Sequence, residues 1–511
     1  MNNNTRTQNS IRNVSYGLII TVLNTIVSFV TRTVLVKTLG AEILGLNGLF
    51  TEVIAMLSLV ELGVGMAIIY SLYKPISEND QKKISQLMGL YRVAYNSIAL
   101  ITFVIGLAIT PFIDKLITDV DYPLYYIRII FILFVIKTAS TYLFSYKTSL
   151  LNADQKQYIV SLVNAVVKMI MTVALVIELL LLKNYILYLV LLIIQSIATN
   201  IILSRYVDKK YPFIDYKDKL EKSERNEVLS NVKNIFVKRV SGVVTSSTDN
   251  ILISKLVSTI QVGFYSNYVM IFSVVRTLTK QFTNSVAASI GNLSVTESPD
   301  RCIIVLKRLT YLYFVFGMIM ASGLMGASKA FMTIWLGNAY VMPNIIVFVA
   351  IFNLFLEICC EPLWQFLEVS GLFKQDKYIG LIGSTINLIV SIMLGLRIGI
   401  TGIFLGTVCT QVIQMILKTI LIFKNNFKLS SKPFFVLWIK MILSYVALVL
   451  FQLVIDKYFI ISNNWLEFFV KGTLSVTIAI IVSSLLFLKD DEVKYCLQMI
   501  GRVYRKVTGK G

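Results

Sequence analysis

Apolar residues run through this chain in blocks of about twenty or more, separated by short polar breaks, almost from end to end. A helix rising 1.5 Å per residue needs about twenty such residues to cross a hydrocarbon core of roughly 30 Å. The blocks predict spans near residues 14–36, 43–70, 86–110, 122–148, 157–182 and 185–204. Further spans follow near 235–256, 262–290, 303–328, 343–369, 378–396 and 400–423, with a last pair near 433–455 and 465–488. The expected fold class is an all-α integral membrane protein of about fourteen transmembrane helices, since only helices and closed barrels satisfy the backbone inside lipid. Several runs exceed about 25 residues and must tilt, bend or project beyond the hydrocarbon layer.

Charge placement gives the orientation. Lys+Arg is 48 and Asp+Glu is 28, a net +20 that in a soluble chain would point to nucleic acid. Here the N-terminal tail, the even-numbered connections and the C-terminal tail together hold about 30 of the cations. Among these are Lys74, Lys82, Lys83, Arg205, Lys209, Lys210, Arg301, Lys307, Arg308, Lys374, Lys377 and Arg505. The odd-numbered connections carry roughly one each: Lys37, Lys115, Lys183, Lys255, Lys329, Arg397 and Lys457. Cytoplasmic loops retain Lys and Arg, so both termini are expected to be cytoplasmic, with membrane lipids and no nucleic acid as partners. Met1 to Ser10 is polar and lacks a small-residue cleavage site, so the first span is read as retained.

Composition narrows the chemistry. At 56% hydrophobic the chain exceeds the roughly 45–50% of soluble proteins. It has no histidine, which removes the commonest general base and zinc ligand. None of the five cysteines forms a C-x-x-C pair. No metal, cofactor or catalytic residue is expected. The outward connections are all short, and the longest polar segment, Arg205 to Lys233, is inward. A membrane glycosyltransferase or polymerase needs a sizeable outward loop, so a non-enzymatic role is expected.

Sliding the chain on itself by about 218 residues places Asn13-Val14 on Asn231-Val232, Lys37 on Lys255 and Gly45 on Gly263. At an offset of about 220, Gln155 to Ile159 meets Gln375 to Ile379. This repeat predicts two six-helix lobes of the same orientation, related by an axis along the membrane normal, with a site between them. The expected organisation is an N-lobe over 1–204, a cytoplasmic basic linker over 205–233, a C-lobe over 234–423, and a C-terminal helix pair and tail over 424–511.

The stretch Thr31 to Phe50, TRTVLVKTLGAEILGLNGLF, resembles the first hairpin of bacterial polysaccharide (oligosaccharide-lipid) flippases. Met56 to Gly65, MLSLVELGVG, and Ile69 to Pro75, IYSLYKP, look like their second helix and first inward loop. The resemblance implies the multidrug/oligosaccharidyl-lipid/polysaccharide flippase superfamily, with two lobes around a cavity that opens alternately to either side. It implies an undecaprenyl-diphosphate-linked glycan as substrate, for capsule, O-antigen or exopolysaccharide, with glycan polymerase and glycosyltransferases as neighbours. The drug-exporting branch shares the fold, so a multidrug exporter stays open as the alternative.

An ionisable residue at mid-bilayer costs roughly 2.5–3.5 kcal/mol on insertion scales, which makes each one a functional candidate. The first bundle carries Arg32, Glu61, Arg128, Lys137 and Lys168; the second carries Lys238, Arg239, Asp249, Arg276, Lys280, Glu357 and Glu361. The cation excess suits a diphosphate headgroup, for which guanidinium forks are the best match and ammonium groups the next. Arg32, within the matched hairpin, and Arg276 are the leading substrate ligands, joined by Arg128, Lys137, Lys168, Lys238, Arg239 and Lys280. Glu61, Asp249 and Glu357 are the candidates for ion coupling. Snorkelling explains Lys238, Arg239 and Arg128 equally well, and a carboxylate partner would make Lys137, Lys168 or Lys280 a structural bridge.

Overall fold

The computed structural model describes residues 3–61, 64–218, 220–226, 228, 247–488 and 490–495. Among them there is no β-strand. The helices are α1 (Asn3–Leu57), α2 (Val64–Glu78), α3 (Gln81–Ile109), α4 (Leu124–Tyr142), α5 (Ser145–Ala153), α6 (Gln157–Leu181) and α7 (Tyr185–Lys210). After them come α8 (described over 247–256), α9 (Thr259–Thr296), α10 (Pro299–Trp335), α11 (Asn344–Val369), α12 (Phe373–Ile422), α13 (Lys432–Tyr458) and α14 (Asn464–Leu485).

The chain is an all-α integral membrane protein of about fourteen spans. Two of the helices hold two spans apiece. In α1 the break falls at Gly40 (φ 78°) and in α12 at Gly399 (φ 62°), both in the left-handed region open to glycine without strain. The second and fourth spans are themselves interrupted. A 3₁₀ turn over Ser58–Glu61 precedes α2, and a break at Leu143 and Phe144 separates α4 from α5.

The chain forms two compact units, Met1–Ser266 and Asn267–Gly511. In the first, α1 packs on α6, α3 on α4, and α7 on both α4 and α6. Phe50 of α1 meets Phe131 and Phe134 of α4 edge-on at 5.1 and 5.8 Å. One end of this unit is closed by the segment that follows α7. Tyr211, Phe213, Ile214, Tyr216, Leu220 and Val228 pack onto a core that includes Leu72, Met88, Tyr91 and Leu150. The hydroxyl of Ser85 donates to the Asp215 carbonyl at 2.9 Å and accepts from its N–H at 2.7 Å. Lys147, 5% exposed, reaches Asp208 at 2.6 Å and Ser204 at 2.7 Å. Beside it Asp154 pairs with Lys156 and accepts from Tyr211; burial lowers the Lys156 pKa against the pull of that carboxylate.

A Cβ on Gly89 would lie 2.6 Å from the Asp218 carbonyl oxygen and 3.1 Å from that of Tyr216. Gly89→Val is therefore expected to lift the segment off the helix ends. Overpacking of about 1–3 kcal/mol translates into roughly tenfold faster tryptic cleavage at Lys217 in detergent-solubilised protein. An unchanged cleavage rate would show that the segment is held elsewhere.

In the second unit α10 packs along α14 and α11, α11 packs on α12, and α13 packs on α14. The C-terminal pair is thus seated in this unit. Its seam is made of small residues: a Cβ on Gly326 would meet the Lys471 carbonyl at 2.6 Å, and those on Gly323 and Gly472 would touch Val476 and Ala327 at 3.6 Å. Lys471, buried on α14, lies 2.8 Å from Glu467 and 3.3 Å from Asp456.

Candidate functional site

In the first unit Arg32, Lys168 and Lys137 each contact a neutral group. Arg32, in the first half of α1, donates from its guanidinium to the hydroxyl of Ser266 in α9, and that hydroxyl donates to the Gly263 carbonyl at 2.7 Å. The phenols of Tyr188 and Tyr185 of α7 lie close enough to act on its charge. Their rings stack at 5.7 Å, and the Tyr185 hydroxyl, wholly buried, accepts from Asn47 at 2.7 Å. Lys168 of α6 donates to Ser28 at 2.8 Å and to the Asn24 carbonyl at 3.3 Å, tying α6 to α1. Lys137 of α4 lies 5.9 Å from the centre of the Phe134 ring. Among the described residues neither lysine has a carboxylate within ion-pair distance.

Arg128 differs from these. Its Nη2 donates to the Pro111 carbonyl at 3.2 Å, holding the turn between α3 and α4, while its buried Nε has no partner. Glu61 sits against Tyr142 and Tyr95. Asp249 is half-buried in α8. Lys238 and Arg239 lie outside the described residues.

In the second unit the leading cation is already neutralised. The Nε of Arg276 faces both oxygens of Glu357, at 2.9 and 3.2 Å. One turn further along α11, Glu361 interacts with Glu357, Lys280, Glu368 and Thr283, and Thr283 bonds Tyr313 at 2.8 Å. The substrate and coupling candidates of this unit therefore form one charged ladder between α9 and α11. The carboxylates face the cations because a spacing of four residues returns to the same helix face.

Reading the sequence alone missed Ser266, Tyr185, Tyr188 and Glu52. Glu52 carried a signal, being an in-span carboxylate; it accepts from Asn250 at 3.3 Å and from Ser247. Nothing local marked the others. A cavity of about 400 Å³ lined by Tyr73, Lys74, Ser77, Asp154 and Gln155 includes none of the in-span cations.

Charges held inside the spans of a polytopic helical protein are functional candidates, because a membrane interior makes them costly to keep. The family model described as "Polysaccharide biosynthesis protein" matches residues 10–287, and the chain belongs to that family. No curated protein matches it. Among solved structures it is similar to the lipid II flippase MurJ in an inward closed conformation, with a TM-score of 0.69 at 16% identity over 93% of this chain and 99% of that one. It is also similar to the MATE transporter VcmN of Vibrio cholerae, with a TM-score of 0.55 at 14% identity over 83% and 99%. The eukaryotic MATE transporter AtDTX14 gives a TM-score of 0.56 at 11% identity over 84% and 98%. These likenesses establish the fold.

Proposed function

We propose that the chain is a flippase that carries undecaprenyl-diphosphate-linked oligosaccharide repeat units across the bacterial cytoplasmic membrane by alternating access, with both termini cytoplasmic. It serves capsule, O-antigen or exopolysaccharide synthesis, beside the glycosyltransferases that build the unit and the polymerase that consumes it. One observation carries this reading. Lys137 and Lys168 stand within spans on aromatic and neutral oxygen partners, and the guanidinium of Arg32 donates to a serine hydroxyl. Holding such charges in lipid is costly, and an anionic ligand repays that cost. Membership of a polysaccharide biosynthesis family supports the same cargo.

The carboxylates Glu357 and Glu361 favour a second reading, export of cationic drugs, because they offer a lipophilic cation the opposite charge. One assay separates the two. In proteoliposomes holding a fluorescent undecaprenyl-diphosphate oligosaccharide in both leaflets, the flippase exposes the protected inner half of the glycan to an external glycosidase, so digestion proceeds from about half to completion. Digestion that stops at half, in vesicles that accumulate a cationic dye, selects the exporter.

A further inference from the structure

Three connections that the Lys/Arg count puts on one sparsely charged side of the membrane meet in the first unit. Thr118, after α3, receives the Thr259 N–H on its carbonyl at 3.2 Å and donates its own N–H to the Thr259 hydroxyl at 3.0 Å. The Thr118 hydroxyl reaches the Ser254 carbonyl at 2.6 Å, and the Ser254 hydroxyl reaches the Leu116 carbonyl at 2.7 Å. Ser254 and Thr259 are wholly buried.

Just behind these bonds the second half of α1 crosses the start of α9 with almost no side chain between them. A Cβ on Gly45 would collide with the Thr259 carbonyl, and one on Gly263 would lie 2.5 Å from the Ala41 carbonyl oxygen and 2.9 Å from the Gly45 nitrogen. The contact is reciprocal, because Ala41 and Gly45 correspond to Thr259 and Gly263 at the repeat offset of about 218. Bare backbone packed on backbone, with neutral hydrogen bonds beside it, closes tightly, yet parts without stranding a charge. Arg32 ties α1 to α9 beside this crossing, through Ser266.

We propose that the crossing is the outward seal of the transport path and that the Arg32–Ser266 bond is its latch, released when an anionic headgroup takes the guanidinium. The proposal rests on the flippase reading for its ligand, and on geometry alone for the latch. A phosphate oxygen competes well here, since a charge-assisted bond to an anion is roughly twice as strong as one to a neutral acceptor. The headgroup then binds the unlatched state better than the latched one, and that difference in affinity is what shifts the equilibrium toward opening.

The test uses the full chain with Val262→Cys as reporter. Val262 is wholly buried at the crossing, and a Cβ on Gly48 would lie 2.8 Å from it. In proteoliposomes a membrane-impermeant maleimide is added from outside, and labelling of the unaltered protein at its native cysteines is subtracted. Undecaprenyl diphosphate is the probe. Labelling is expected to rise roughly tenfold with the probe, and Ser266→Ala is expected to raise it by a similar factor without the probe, as loss of a bond worth about 1.5 kcal/mol predicts. If Ser266→Ala stays within about twofold of the parent, a difference well under the one expected from such a bond, the latch is overturned whatever the lipid does. If Ser266→Ala opens the reporter and undecaprenyl diphosphate does not, the latch holds and the cargo reading fails. Ser258→Cys, at a residue 9% exposed in the same connection, serves as reporter if Val262→Cys does not fold.

Discussion

Lys471→Met is expected to destabilise the protein by about 3–5 kcal/mol, the cost of removing one partner from a buried ion pair. Lys471 is 5% exposed and stands between Glu467 and Asp456 at the contact of α13 and α14. Without its ammonium two carboxylates remain at a packed helix seam. Asp456 keeps Asn344 and Gln452 as donors, at 3.2 Å each, but Glu467 has no such relief among the bonds that hold this cluster. The second substitution Glu467→Leu, added to Lys471→Met, is expected to restore most of the loss, because apolar replacement of a buried pair is often neutral. Thermal unfolding of the purified protein in detergent measures both. A loss below about 1 kcal/mol for Lys471→Met would mean that water already solvates the cluster, as it does surface pairs.

Arg32→Ala is expected to lower the transport rate at least thirty-fold while leaving the protein folded. Truncating one partner of a buried charge-assisted bond costs about 2–5 kcal/mol, and about 1.4 kcal/mol is a factor of ten. Arg32→Lys is expected to recover part of the rate, since an ammonium keeps the charge and loses the planar fork that matches a diphosphate. The glycosidase-protection assay reads both variants against the parent. Equal rates for Arg32→Ala and the parent would remove Arg32 from the transport path.

Most of the architecture was legible because a bilayer imposes a single length on every span. The paired spans within α1 and α12 could be read because Gly40 and Gly399 sit at the breaks. The break at Leu143 and Phe144 could not, since neither residue is a helix breaker and tertiary packing sets it. The same divide runs through the candidate site. Arg32, Lys137, Lys168 and Arg276 announce themselves as charges inside apolar runs. Their partners do not. Ser266 is 234 residues from Arg32 and Glu357 is 81 from Arg276, distances at which periodicity carries no information. The contacts of Arg32 with Ser266 and of Arg276 with Glu357 are therefore visible only in three dimensions. The segment after α7 shows this too: its aromatic residues alternate with charges, and no local pattern marks Ser85 and Gly89 as the surface that receives them.

The reciprocal crossing has a consequence for how such a chain can come to be asymmetric. Two copies of a half-length polypeptide meeting about a two-fold axis make this pattern, each glycine resting on the other copy's carbonyl. In a dimer of that kind every substitution appears twice. At the offset of about 218 the two sides of the crossing differ: the position matching Arg32 is Asn250, which bonds Glu52, and the position matching Gly48 is Ser266. The Arg32–Ser266 bond therefore has no second copy at the matching positions, whereas a homodimer could not form it once without forming it twice.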